Sequence, residues 1–214
     1  MTSEGFFIDH VIYGVIDVDA AAERLRAEHG LGSVPGRVHL GGTNSRIVPL
    51  GPECFFELLG IEDTAKADGA WLADTLQGQD RVLWWCLGVS DLDDTAGRRG
   101  LPLRVGQARP DDRDSLTFRS AGMPRHPLPF FLSLIGERET RHRIQQERHR
   151  AANHTCAPTG YTFVEVGDHE QGRTTGSVGR SDPARGVLRS VQLSIDVLTD
   201  PRVADGDEAA RVLA

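Results

Sequence analysis

The feature that most constrains this chain is a doubled order of elements. Gly14–Ala20 reads GVIDVDA and Gly88–Asp94 reads GVSDLDD, while Phe55–Gly60 reads FFELLG and Phe131–Gly136 reads FLSLIG. The landmarks recur in the same order about 75 residues apart, far longer than a solenoid period. The first set opens with a run rich in Ile, Val, Phe and Tyr, Phe6–Ile16, which reads as a strand. Asp17 follows as a helix N-cap, and Val18, Ala21, Ala22 and Leu25 recur at helical spacing to about His29. Gly30 and Gly32 supply the stop. Two short strands, Val34–Leu40 and Ser45–Leu50, are joined by Gly41–Asn44, and after a Gly51-Pro52 turn Cys54–Ile61 is the fourth strand. The second set is a strand Arg81–Val89, a helix capped by Asp91 and ended by Gly100, and strands Leu103–Ala108, Leu116–Ser120 and Phe130–Ile135.

This order predicts two β-α-β-β-β modules, over residues 1–66 and 81–137, joined by a linking helix within 67–80. Residues 138–214 complete the second half. They read as a polar helix from Glu137 to about Arg150, half-buried strands Tyr161–Val166 and Val187–Ile195, a loop over Gly167–Arg185 and a surface tail from Asp196.

Composition removes several function classes. A net charge of -7 disfavours nucleic-acid binding by a broad basic face, and the basic stretch Arg138–Arg150 is interleaved with Glu139 and Glu147, as on a solvated helix face. Hydrophobic residues at 39% and charged ones at 26% suit a soluble globular protein. No apolar run approaches the ~20 residues of a membrane span. The N-terminal stretch, with Glu4 and Asp9 and no basic region, is not expected to be a signal peptide. Cys54, Cys86 and Cys156 form no CxxC pair, which fits a reducing cytoplasm. There is no Walker A sequence, GxGxxG after a strand or GxSxG elbow. Cys156 lies near His154 without an orienting third group, which argues against a thiol nucleophile.

Two polar residues interrupt apolar strands: His10 in the first and Glu57 in the fourth. Either alone is more often a satisfied core or surface residue. Together they are a His–carboxylate pair of the kind that binds Zn, Fe or Mn, and a buried carboxylate needs a metal or hydrogen-bonded partner to offset its charge. By strand alternation His10 shares a face with Ile8 and Ile12, and Glu57 with Phe55 and Leu59. Trp84 and Trp85 must face opposite sides, one toward the same concavity as a wall for a planar ligand, though core packing explains both rings as well. Arg46 could meet an anionic group or be solvated, and Asn44 could fix its turn or touch a ligand.

IDHVIYGVIDVDAAAERL, FFELLG, GRVHLGGTNSRIVPLG, HPLPFFLSLIGE and Pro158-Thr159-Gly160 resemble the vicinal oxygen chelate superfamily, in its glyoxalase-like branch. The likeness runs from about residue 6 to 195 and includes the kinship of glyoxalases, bleomycin-resistance proteins and extradiol dioxygenases. It implies an α+β fold of paired βαβββ modules forming a cupped mixed sheet. It also implies a divalent ion (Zn, Fe, Mn or Ni) at His10 and Glu57, with Glu57 also catalytic. His154 is the expected third ligand, with His39 as rival or as a pocket residue beside Asn44, Arg46 and Trp84. The repeat sets Trp84 opposite His10 and Ser133 opposite Glu57, so the second half lacks its ligands. Two functions follow: a metal-dependent lyase, isomerase or dioxygenase acting on a small oxygenated metabolite, or a metal-free protein that sequesters a small aromatic compound. A small-molecule ligand is the expected partner, and a homodimer is left open.

Overall fold

The structure of the protein is a computed structural model that describes residues 6–51, 53–106, 118–122, 129–134, 138–168, 173–174 and 188–198. The first module comprises β1 (Phe6–Val15), α1 (Val18–His29), β2 (Val34–Val38), β3 (Thr43–Pro49) and β4 (Phe55–Ile61). After α2 (Ala67–Leu76) the second repeats the order with β5 (Arg81–Val89), α3 (Leu92–Arg99), β6 (Leu103–Gly106), β7 (Phe118–Ala121) and β8 (Phe130–Leu134). Then come α4 (Arg138–Ala152), β9 (Ala157–Asp168), β10 (Arg173–Thr174) and β11 (Leu188–Leu198).

The caps repeat with the modules. Asp17 accepts the N–H groups of Asp19 and Ala20 at 3.0 Å each, and Asp91 accepts that of Asp94 at 2.9 Å. Gly30 and Gly100 close the two helices in the left-handed conformation, φ 71° and 63°, which glycine adopts without the clash a Cβ would bring.

Eight strands form one open mixed sheet in the order β2-β3-β4-β1-β5-β8-β7-β6. In each module the first strand runs parallel to the fourth, and the other pairs are antiparallel. The modules meet at the antiparallel β1–β5 ladder. The α+β architecture of paired βαβββ modules is thus the observed one. Strands β9, β10 and β11 form a separate three-stranded sheet. Two details depart from expectation. The short β10 lies within the segment read as a loop, and β11 continues to Leu198, into the segment read as a tail, because both gain ladder partners on β9. The remainder of the tail, and residues 107–117 of the expected second and third strands of the repeat, lie outside the described residues.

Each sheet face carries its own core. On one, Val11, Val15, Val48, Phe56, Leu58, Trp85 and Leu87 pack with Val18, Ala21, Ala22 and Leu25 of α1 and Leu92 and Ala96 of α3. On the other, Ile12, Leu59, Cys86, Phe130 and Leu132 pack with Leu72 and Leu76 of α2. On this second face α4 also crosses β2 and β3, where Ala152 meets Val34 and Ile47. No described helix is long and apolar enough to cross a membrane.

The joint between modules is irregular in a paired way. Ile8 faces Leu87 and His10 faces Cys86, so Asp9 is an extra residue, a β-bulge in β1. Ile12 faces Trp84 and Tyr13 faces Val82, so Leu83 is the matching extra residue in β5. A local two-fold through the central pair Val11–Trp85 exchanges His10 with Trp84, Ile12 with Cys86 and Asp9 with Leu83. The bulge also corrects the alternation read from sequence. His10 shares the α2 face with Ile12, but Ile8 packs with the α1 and α3 side.

Phe56 is fully buried against the helix-side core. Replacing it with Ala should cost about 3–5 kcal/mol, read as a lower denaturation midpoint in urea with far-UV circular dichroism unchanged before the transition.

Candidate functional site

The Asp9 bulge decides what surrounds His10. Adjacent residues of a regular strand point to opposite faces, but here Asp9 Oδ1 reaches His10 Nδ1 at 2.5 Å, with both side chains buried. A carboxylate accepts, so a proton sits on Nδ1, and in the neutral form of such a ring the lone pair is on Nε2. That nitrogen lies 4.0 Å from Glu57 Oε2, and the two side chains are 6% and 17% exposed. The imidazole is stacked on Phe55 of β4, with centroids 4.5 Å apart, and meets the edge of Phe130 of β8 at 5.5 Å. The result is a line of three groups, Asp9, His10 and Glu57, ending on the sheet face flanked by α2 and α4.

Cys86 lies directly across the ladder from His10. Its Sγ, an Asp9 oxygen and a His10 nitrogen fall within 4.8 Å of one another. Burial, then the charges of Asp9 and Glu57, push this thiol well up, so it stays protonated and is a poor ligand. Asp9 and His10 Nδ1 stand at hydrogen-bond distance, too close to be two ligands of one ion. Nε2 and Glu57 are therefore the pair that could hold an ion, with Asp9 behind the ring bonded to Nδ1.

The other residues singled out from sequence lie elsewhere. Asn44 and Arg46 are on the α1 face. Asn44 Nδ2 donates to Glu62 at 2.6 Å, and Arg46 bonds Ser33 Oγ at 2.9 Å and Asp19 of α1 at 3.0 Å. His39 sits on the β2–β3 hairpin with Nδ1 2.8 Å from Thr43 Oγ1. His154 follows α4, and its Nδ1 accepts the Gly32 N–H at 2.9 Å. Accepting there leaves the proton on Nε2, so His154 has no free lone pair for a metal. Among the described residues neither His39 nor His154 forms a metal-type cluster with His10 and Glu57.

Trp84 is on the same face as His10 and stacks on Trp71 of α2, centroids 5.1 Å apart and planes 5° apart, whereas Trp85 belongs to the helix-side core. The two-fold also corrects the mate of Glu57. The pair Ile12–Glu57 corresponds to Cys86–Phe130, so Phe130, not Ser133, occupies the equivalent position. The string match was three residues out, an odd slip that turns Ser133 to the other face. Asp9 was missed because alternation sends it away from His10. Its only sequence signal was a second polar residue beside His10 in an apolar strand.

A family model described as a glyoxalase-like domain matches residues 8–180. Among solved structures, the chain is similar to methylmalonyl-CoA epimerase from Mycobacterium tuberculosis, at 20% identity over 59% of this chain and 85% of that one, TM-score 0.43. It is similar to Streptomyces coelicolor methylmalonyl-CoA epimerase in complex with 2-nitronate-propionyl-CoA, at 20% identity over 60% and 97%, TM-score 0.45. It is also similar to a hypothetical protein from Staphylococcus aureus, at 14% identity over 67% and 65%, TM-score 0.48. No curated protein matches it by sequence.

His154 gives a pH test of this arrangement. Burial, then the neighbouring His149, lower its pKa from 6.5 to about 4. As pH falls the unfolded chain takes up this proton first, so the stability contributed by neutral His154 is complete above about pH 6.5 and is lost toward pH 4. His154→Asn keeps an acceptor for Gly32 and cannot titrate. Melting temperatures measured across that window should fall less steeply for the variant than for the wild type.

Proposed function

The chain belongs to the glyoxalase-like domain family, within the vicinal oxygen chelate superfamily, and from that membership and the His10 geometry we propose that it is a metal-dependent enzyme acting on a small oxygenated metabolite. The observation that carries this reading is the line Asp9–His10–Glu57, in which a carboxylate behind the ring leaves Nε2 facing a second carboxylate. Carboxylate–histidine–metal arrangements are built this way. The residues fit the ion. A tetrahedral ion with bonds of ~2.0–2.2 Å sets its ligands ~3.3–3.6 Å apart, so Nε2 and Oε2, 4.0 Å apart, would close by about half an ångström on binding it. Water or substrate oxygens complete the coordination.

When bound, a divalent ion (Zn, Fe, Mn or Ni) supplies Lewis-acid polarisation of a carbonyl or enolate oxygen. The protein does the rest. His10, held by Asp9 and between Phe55 and Phe130, presents Nε2 without reorganisation. Glu57 Oε1 takes a proton from a carbon next to the substrate carbonyl and returns it, a step shared by lyases and isomerases. Dioxygenase chemistry is the other class the family allows. The apolar walls from Ile12, Leu59 and Phe130 keep water out.

One observation favours a second reading, metal-free sequestration of a small aromatic compound. In the second module Leu83, Trp84 and Phe130 stand where Asp9, His10 and Glu57 stand in the first, so these three positions are apolar there. Metal analysis of protein purified without chelators separates the two. The enzyme reading expects about one transition-metal ion per chain. It expects Glu57→Gln to weaken binding ten-fold or more. Metal-free protein whose tryptophan fluorescence is quenched by planar aromatics would replace it with the second reading.

A further inference from the structure

The hydroxyl of Tyr161, on β9, lies inside the β1–β4 ladder. In a parallel ladder the N–H of one residue bonds the carbonyl of the residue before its partner. Val11 is paired with Phe56, so its N–H belongs with the Phe55 carbonyl. Val11 N–H donates to Tyr161 Oη at 3.1 Å, and the Tyr161 hydroxyl donates to the Phe55 carbonyl. A phenol from the other sheet thus bonds both strands at this rung. The rung is next to the pair His10–Phe55 and one residue beyond the Asp9 bulge. It therefore stands between the strand that carries the ring and the strand that carries both its stacking partner and Glu57.

We infer that Tyr161 is a positioning residue of the His10 site, its hydroxyl tying β1 to β4 beside the bulge so that Asp9 can keep the proton on His10 Nδ1 while Nε2 faces Glu57. The role in metal binding rests on the function proposed above; the role in fixing the ring does not. The hydroxyl is suited to a fixed donor, because burial raises its pKa well above 10 and it stays protonated. Without it, Val11 N–H and the Phe55 carbonyl lose a shared partner, and the residues that present His10 and Phe55 lose their tie to the second sheet. The Asp9 contact depends on that local geometry. The second sheet would then be part of the site's construction and not an appendage to the cup.

The test is ring 15N NMR of the full-length, chelator-treated chain, with the His10 signals assigned by loss in His10→Gln. The wild type should show His10 as the Nδ1–H tautomer. In Tyr161→Phe, with circular dichroism unchanged, the ring should move to a mixture of tautomers, and the zinc dissociation constant should rise ten-fold or more. A folded Tyr161→Phe protein with His10 still wholly in the Nδ1–H form overturns the proposal. A shifted tautomer in a protein whose wild type binds no zinc keeps the positioning role and removes the metal reading. If Tyr161→Phe does not fold, 4-fluorophenylalanine placed at position 161 fills the hydroxyl's space with a group that cannot donate to Phe55, and the same shift of the His10 tautomer is expected. A folded protein of that kind with His10 still wholly in the Nδ1–H form overturns the proposal equally.

Discussion

The twin-bulged ladder between β1 and β5 is the constraint on which the rest of this molecule depends. It joins the two modules into one sheet, places Val11 and Trp85 on a local two-fold and sets which side chains reach each face. A bulge turns two successive side chains toward the same side of a strand. In β1 those two are Asp9 and His10, and the hydrogen bond between them exists only because the strand is irregular there. In β5 they are Leu83 and Trp84, which join the apolar cluster under α2. One backbone device, used twice, yields a polar cluster in one module and an apolar one in the other.

That asymmetry has an energetic logic. A carboxylate with the burial of Asp9, 3% exposed, is costly unless its charge is hydrogen-bonded. The His10 N–H answers it at 2.5 Å, and the ring then turns Nε2 toward Glu57. Cys86 beside them stays a thiol because burial, and after it the charges of Asp9 and Glu57, disfavour its anion. Phe55 and Phe130 pack the imidazole on its face and edge, so its orientation is held by contact as well as by the hydrogen bond.

The elements outside the repeat complete the cup. α2 covers one end of the site face through Leu72 and Leu76, and its Trp71 lies flat on Trp84. α4 crosses β2 and β3, with His142 3.2 Å from Glu53 and Ala152 packed on Val34 and Ile47. Gly32 is where this packing is tightest. A Cβ there would lie 1.9 Å from the Ala152 carbonyl oxygen, so the chain entering β2 can pass beneath the end of α4 only as glycine. The same connector gives His154 its Gly32 partner, which is why that imidazole serves the packing of α4 and not the cluster around His10.

The sequence by itself determined the element order, the caps at Asp17 and Asp91 with their closing glycines, and the two polar interruptions His10 and Glu57. These are local properties: apolar periodicity, N-cap chemistry and the rarity of charge within an apolar strand are all written within a few residues. The alternation of Trp84 and Trp85 was legible for the same reason, since no bulge intervenes between them. Only the tertiary structure decided what lies around His10. Asp9 joins it, Ile8 leaves its face, and Phe130 replaces Ser133 as the mate of Glu57. Asn44 and Arg46 turn to α1, and the Tyr161 hydroxyl enters a ladder more than 100 residues away in sequence. Each of these depends on the register between strands. Register is a relation between distant segments, and a single inserted residue reverses every side chain beyond it without leaving a mark in the local pattern.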